Sequence, residues 1–490
     1  MYLGGFAGRI ALVLSMTATP VVAQTVVTDA EGLRELAALS IAEENWSQAR
    51  ALAEALLLRN PDDLSALTMP ATAAFQLRDF TTARAAAARI YRSSAPQSQR
   101  YEAARLAALA AANDDRFTLS EIWLRRALIV APTEADVAQT TEDAARVRRA
   151  NPWSTSVQLS FAPSTNINGG ATSELNIVDG VPIVGLLSPS AQALKGFVAV
   201  ADIATSYTLN ETRTERQRLT ARLYARAPIP VGEDLQAIWD EGVHVDEFAT
   251  ARVELSFNHD QALEDGLMGF DIFAGLVWSG ITSYEIVDVN PDPNVSDFQE
   301  TANRTPDYAY VRLAGDRTFR FPDNMSLTVG GSAEQRVDFD LIDNGQNGVD
   351  IERGDLITTI YGSITNEFAG LGQGTATLSA TKRWSDSVQY ASNSYTAQVG
   401  FAPFDRFGPA QVSAAVGVTY SHYPDYIVFV PVPGGRADTR LFTSLTATFP
   451  DYSFAGFSPI LQVEAGTTAS NVSRFELNDL GIEFGFRSTF

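Results

Sequence analysis

The sequence predicts an α + β multidomain protein, an N-terminal helical-repeat α-solenoid followed by a 14-stranded antiparallel transmembrane β-barrel. Three observations carry that prediction. The last segment, Leu480 to Phe490, alternates apolar with small or charged residues and stops on phenylalanine. Fourteen period-two stretches of about ten residues recur after residue 150, the length of a strand that crosses a bilayer at a tilt. Before residue 150 the chain is alanine-rich, helix-periodic and repeats an aromatic-to-proline spacing.

Residues 1–23 read as a secretory signal. Arg9 supplies the basic start, an apolar stretch follows from Ile10 to about Ala18, and Pro20-Val21-Val22-Ala23 precedes Gln24, favouring cleavage after Ala23. No cysteine follows, which excludes lipoprotein processing, and zero cysteines in 490 residues exclude a disulfide scaffold. Beyond this segment no run of 18 or more apolar residues occurs, so a membrane span must be a closed barrel, the other structure that pairs every backbone group in lipid.

Residues 24–150 hold three degenerate repeats. Trp46-Ser-Gln-Ala49 leads to Pro61, Phe80-Thr-Thr-Ala83 to Ala95-Pro96, and Phe117 to Pro132, with the aromatic 15 residues before the closing Pro or Ala each time. The aromatics are 34 and then 37 residues apart. An aromatic and a small residue that let two antiparallel helices pack, closed by proline, resemble a tetratricopeptide (TPR-like) array. The alanine stripe is first of all core packing, and a short array of this kind commonly offers a groove to a peptide or partner.

Residues 151–490 carry the strands, expected near 153–162, 195–208, 215–226, 247–258, 267–279, 306–317 and 325–337. The second seven are expected near 355–367, 374–386, 393–402, 410–422, 437–449, 459–470 and 475–490. Connections around 163–194, 227–246, 280–305, 338–354 and 423–436 are long, and those between them are short and rich in turn formers, with shorter exceptions near 387–392 and 471–474. That parity matches short periplasmic turns and long external loops, and an even strand number puts both barrel ends and the helices on the periplasmic side. Charge is uneven: residues 24–150 hold 15 Arg and 17 Asp/Glu, whereas residues 151–490 hold 20 Lys/Arg and 41 Asp/Glu, about −21 of the total −22. Such acidity argues against nucleic-acid binding and suits external loops that meet divalent cations or lipopolysaccharide.

Strand parity assigns the lumen. Arg218, Thr220, Arg222, Tyr224 and Arg226 share one face of the third strand, opposite Leu219, Ala221, Leu223 and Ala225; Arg252, Glu254 and Ser256 share one face of the fourth. Asp202, Asp271, Arg312, Asp316, Glu334 and Arg336 fall on the same side further along, as do Arg383, Glu464, Glu483 and Arg487. An arginine on the lipid side near the midplane costs roughly 2–4 kcal/mol, so these charges are expected to point inward. There they brace the lumen, or the Arg218–Arg222–Arg226 row sets selectivity or grips a polar polypeptide.

No enzymatic chemistry is expected. The three histidines, His244, His259 and His422, are scattered, no phosphate-binding glycine loop joins a strand to a helix, and no carboxylate spacing selects an acid/base pair. No cofactor or metal is expected; Asp338, Asp340, Asp343, Asn344, Asp350 and Asp355 crowd one loop but lack the EF-hand spacing for calcium.

Phe484, Phe486 and the terminal Phe490 resemble the assembly signal of bacterial outer-membrane barrels, which implies the barrel-assembly machinery as a partner. After Asn151-Pro152-Trp153, the strand closes on Pro163-Ser164-Thr165-Asn166-Ile167-Asn168. Directly downstream of TPR-like helices, this segment resembles the surface lipoprotein assembly modulator (Slam) family. The resemblance implies an outer-membrane translocon that delivers lipoproteins or related effectors to the cell surface, its repeats engaging the substrate or its periplasmic chaperone. The competing expectations are a porin-like or exopolysaccharide export channel with a periplasmic TPR scaffold, and an adhesin or receptor using its acidic loops. A channel for anionic polymer would favour a strongly basic lumen, whereas this one mixes Arg with Asp and Glu.

Overall fold

The computed structural model describes residues 29–61, 63–181, 184–280, 283–288, 298–343, 350–428, 430–454 and 457–488. The signal segment and Phe490 lie outside them. Two compact units divide inside one helix, one ending at Ala110 and the other beginning at Ala111. The change from helix to strand falls later, between Ala150 and Trp153.

Among the described residues seven helices precede the strands: α1 (Ala30–Ala42), α2 (Trp46–Arg59), α3 (Leu64–Gln76), α4 (Phe80–Arg92), α5 (Gln97–Asn113), α6 (Phe117–Ile129) and α7 (Glu134–Ala150). Trp46, Phe80 and Phe117 each open the second helix of a hairpin. Two residues before each aromatic the backbone turns left-handed, at Glu44 (φ 57°), Arg78 (φ 61°) and Asp115 (φ 55°). Asn45 and Asp79 then cap α2 and α4 by accepting from the Gln48 and Thr82 amides. Ala49 and Ala83, three residues into those helices, are fully buried, as the close helix approach requires. The repeat lengthens from 34 to 37 residues in step with α5, which has 17 residues where α1 and α3 have 13.

One ion-pair device recurs in the first unit. Arg34 of α1 reaches Asp63, the cap of α3, at 2.6 Å, and Arg50 of α2 reaches Asp79, the cap of α4, at 3.0 Å. The Arg34 guanidinium, helped by the Ala66 amide and the Ser65 hydroxyl, holds the Asp63 carboxyl down at about 2 although burial opposes it. Leu67, Ala71, Ile90, Ala95 and Ala103 form the core between α3, α4 and α5. In the second unit the Arg125 guanidinium of α6 lies 5.5 Å from the Phe457 ring centre, and the Asn151 amide donates to Glu121 at 2.8 Å.

Among the described residues eighteen strands follow. The first seven are β1 (Trp153–Ser164), β2 (Leu175–Ile177), β3 (Val184–Leu186), β4 (Gly196–Glu211), β5 (Glu215–Pro230), β6 (Thr250–Leu263) and β7 (Gly266–Trp278). Next come β8 (Ser283–Asp288), β9 (Phe298–Asn303), β10 (Tyr308–Arg320), β11 (Met325–Asp343), β12 (Asp350–Phe368) and β13 (Gly372–Ser385). The last five are β14 (Ser392–Pro403), β15 (Gln411–Tyr423), β16 (Arg436–Thr448), β17 (Phe457–Ser470) and β18 (Leu477–Ser488). Fourteen of them close into one antiparallel barrel; β2–β3 and β8–β9 are separate hairpins inside two connections. Every expected strand is present, and β1 and β18 seal the wall, with Phe161 opposite Phe484 and Gln158 opposite Arg487.

The outer surface is apolar because a membrane, not a core, covers it. Leu219, Leu223, Val253, Leu255, Val311, Leu313, Ile360, Leu378, Val399 and Phe484 are all exposed, and each sits at outward parity. Among the described residues no helix is long and apolar enough to cross a membrane. The longest connections, β1 to β4, β5 to β6, β7 to β10 and β15 to β16, all lie at the end away from β1's start, whereas β11 to β12, β13 to β14 and β17 to β18 are short at that end too. Two differences from the sequence reading concern the far end. Strand β5 runs to Pro230, after which α8 (Glu233–Glu241) fills a stretch expected to be loop, and β11 and β12 extend to Asp343 and from Asp350 into another. The acidic stretch Asp338 to Asp355 is thus largely strand, in β11 and β12, and Asn344 lies outside the described residues.

Candidate conduit and its covered mouth

Inside the barrel the charged residues form pairs that cross strands. Arg222 grips Asp202 of β4, with Nε at 2.8 Å, and Arg218 reaches Asp260 of β6 at 3.0 Å. Arg312 stands between Glu254 and Glu334, at 3.8 and 3.9 Å, while Arg336 Nε donates to Glu334 at 2.6 Å. Arg383 Nε donates at 2.9 Å to Asp355, which is fully buried. On the opposite wall Arg440 meets Asp479 at 3.0 Å, and Arg487 donates to Gln158 at 3.1 Å across the β1–β18 seam. Glu483 accepts from the same Gln158 at 3.5 Å.

Glycines make room for this network. Gly275 of β7 lies in register between Glu254 and Tyr310, and a Cβ there would stand 2.7 Å from the Tyr310 ring. The ring therefore lies flat across β7, and its hydroxyl donates to Glu254. Guanidinium groups cover other rings: Arg312 on Phe273 at 4.0 Å, Arg336 on Tyr308 at 4.8 Å, Arg252 on Tyr224 at 5.8 Å.

Two arginines differ from the rest. Among the described residues neither Arg226 nor Arg252 has a carboxylate within bonding distance. Arg226 donates to the backbone carbonyl of Ile167 at 2.7 Å, and Arg252 Nε is buried without a partner.

A loop folds over Arg226 at the far end of the barrel. The connection from β1 to β4 folds inward at Pro163–Asn168: Ser164 accepts from the Asn166 amide at 3.2 Å, and the Asn166 side chain exchanges two bonds of 2.9 Å with Gly170. Asn168 uses its whole side chain. Its amide donates to the Ser190 and Gln192 carbonyls at 2.9 and 2.7 Å, and its oxygen accepts from Leu194 and Gly170 at 3.0 and 3.3 Å. Gly170 is required, since a Cβ there would lie 2.1 Å from the Gln192 oxygen. Ile167 then packs with Leu194, Val198 and Ile238, the last from α8. Glu241 at the end of α8 accepts from the Ser190 amide and hydroxyl at 2.9 and 2.8 Å; burial alone would raise its carboxyl, and these bonds hold it below the usual range.

The same connection is also tied to the β17–β18 and β15–β16 connections at that end. Val178 pairs with Val472, and the Ser473 hydroxyl donates to Leu175 while accepting from Ile177 at 2.7 Å. Val178, Val472, Val432 and Tyr426 form a small core beside Arg436, whose guanidinium lies 3.7, 4.7 and 3.6 Å from the Tyr423, Tyr426 and Phe475 rings. Sequence reasoning missed this cap, and α8 with it. Gly232 and Gly242, both at positive φ, and the acidic first turn Glu233-Asp234 were the available signals for the helix. It also missed Tyr308, Tyr310, Arg436 and Arg440, which the same inward parity rule marks.

No family model matches this chain, and no curated protein matches it. Among solved structures, its helical part is similar to the Arabidopsis OM64 TPR domain, at 16% identity over 24% of this chain and 94% of that one, with a TM-score of 0.22. The barrel is similar to a mutant of the ferric enterobactin receptor of Pseudomonas aeruginosa, at 13% identity over 64% of this chain and 53% of that one, TM-score 0.31. It is also similar to the β domain of the Bordetella autotransporter BrkA, at 9% identity over 69% of this chain and all of that one, TM-score 0.31. At these scores none of the three speaks to function, and the architecture rests on the strand pairing itself.

Proposed function

We propose that this chain is an outer-membrane translocon that delivers lipoproteins, or related effector proteins, to the bacterial cell surface. The TPR-like helices sit in the periplasm and receive the passenger or its chaperone, and the barrel is the gated route. The observation that carries this reading is the cover at the far end of the barrel. It is a loop held by side-chain hydrogen bonds, two small apolar clusters and a few backbone bonds to the β17–β18 connection, so it can move while the fourteen-strand ladder stays paired. A charged, cavity-bearing lumen beneath a removable cover is what a gated passage needs; a barrel serving only as anchor needs neither.

Deletion of the gene followed by protease shaving of intact cells tests it. Loss of a specific lipoprotein from the surface, at unchanged total level, is expected. Unchanged surface proteins with altered solute uptake, or with loss of a secreted polysaccharide, would refute it.

A further inference from the structure

Arg252 is the sharpest imbalance in the lumen. It lies two residues into β6 from the far end, close below the cover, and its neighbour across β5 is Tyr224. A cavity of about 360 Å³ opens beside it, lined also by Tyr308, Tyr310, Arg312, Glu334 and Arg336. Specific ligand pockets run from about 300 Å³ upward, so the space suits one or two side chains.

The carboxylates around it are engaged elsewhere. Arg252, Arg312 and Arg336 share this stretch of wall with Glu254, Glu334, Asp338 and Asp355, of which Glu334 accepts from Arg336 and Asp355 from Arg383. Glu254 already accepts the Tyr310 hydroxyl, and Arg312 is held at 3.8 and 3.9 Å, outside hydrogen-bond reach of either carboxylate. Arg252 Nε is buried and unpartnered, an expensive state unless something fills it at work. Guanidinium groups with unspent N–H donors are best satisfied by a planar carboxylate.

We propose that Arg252, with Arg312 and Arg336, forms a subsite in the lumen wall that takes a carboxylate from the acidic side chains of a passenger polypeptide. The inference rests on the translocation reading above. A polypeptide fits better than an acidic sugar polymer because guanidinium groups already cover Tyr224, Tyr308 and Phe273, leaving those ring faces closed to sugar stacking. The rings instead hold the arginines in place.

The test uses the purified full-length protein in detergent and the fluorescence anisotropy of labelled hexaglutamate, in both the wild type and the Asn168→Asp variant, whose cover is loosened. Saturable binding that weakens with salt is expected. Arg252→Gln should weaken it about tenfold, Arg252→Lys should restore part of it, and Arg218→Gln, where Arg216 remains beside Asp260, should change it less than twofold. If Arg252→Gln fails to fold, Glu334→Gln serves: removing a competing carboxylate should tighten binding severalfold. Equal binding by wild type and Arg252→Gln, no binding even with the cover loosened, or displacement by hexagalacturonate at or below the hexaglutamate concentration would overturn the proposal. Because no export occurs in this assay, binding without surface loss in the shaving experiment refutes translocation alone. Surface loss without binding refutes the subsite alone.

Discussion

Replacing Asn168 by alanine removes four hydrogen bonds at once, two donated to Ser190 and Gln192 and two accepted from Leu194 and Gly170. A neutral hydrogen bond contributes about 0.5–1.5 kcal/mol net, and the 3.3 Å bond to Gly170 sits at the weak end, so the closed cover should lose about 2–4 kcal/mol. At about 1.4 kcal/mol per factor of ten, the displaced state should become about 30- to 1,000-fold more populated. The strand ladder is untouched, so the barrel should keep its stability. Amide hydrogen exchange of the full-length protein in lipid nanodiscs reads both quantities. Peptides covering residues 166–194 should exchange faster by that factor, and peptides from β10 to β13 should not change. Asn168→Asp keeps the acceptor but turns a carboxylate toward the Ser190 and Gln192 carbonyls, so it should be at least as damaging. Exchange within threefold of wild type in Asn168→Ala, or a milder effect from Asp than from Ala, would show that the apolar cluster around Ile167 holds the cover and the asparagine does not.

Three further perturbations separate cover, wall and helices. The chain has no cysteine, so Val178→Cys with Val472→Cys introduces a single pair at an antiparallel bridge, where Cα spacing suits a disulfide; the oxidised form should block surface delivery in the shaving assay and dithiothreitol should restore it. Leu255→Arg, on the lipid side at 62% exposure, should lower barrel stability in refolding titrations by about 2–4 kcal/mol if it lies near the midplane. Asp63 has its folded carboxyl lowered from 3.8 to about 2, so its contribution is fully present above the unfolded value and disappears as pH falls from about 4 toward 2. With Arg34 partly exposed this amounts to about 1–2 kcal/mol, and Asp63→Asn should flatten that limb of a urea-melt series followed by helical circular dichroism.

The wall was legible in the sequence because its physics is periodic. Each strand alternates between lipid and lumen, so Leu219 beside Thr220 and Leu223 beside Arg222 assign a whole strand, and fourteen such assignments close a barrel. The helical repeats were legible for a similar reason: the aromatics at Trp46, Phe80 and Phe117 recur because each begins a helix after a left-handed turn. Which charges pair was not legible. Parity places Arg222, Asp202 and Glu254 on one face, and the register even sets Arg222 directly opposite Glu254, yet Arg222 reaches diagonally to Asp202 while Glu254 takes the Tyr310 hydroxyl.

The cover obeys no period, which is why it was invisible. Asn168 bonds to residues 22, 24 and 26 positions on, and Val178 meets Val472 from the other end of the chain. What the sequence offered there was the Pro163–Asn168 segment, conspicuous as a pattern and silent about what it does. In the folded chain Ser164, Asn166 and Asn168 turn the backbone inward and fasten it, and Ile167, between the two asparagines, is thereby placed where its carbonyl meets Arg226 of the wall. The segment is thus the joint between lumen and cover. Arg226, the last of the Arg218–Arg222–Arg226 row, touches that joint, whereas Arg218 and Arg222 are paired within the wall. A row that parity treats as three equivalent charges therefore divides into two braces and one latch. Any account of passage through this barrel has to treat Arg226 together with the loop above it.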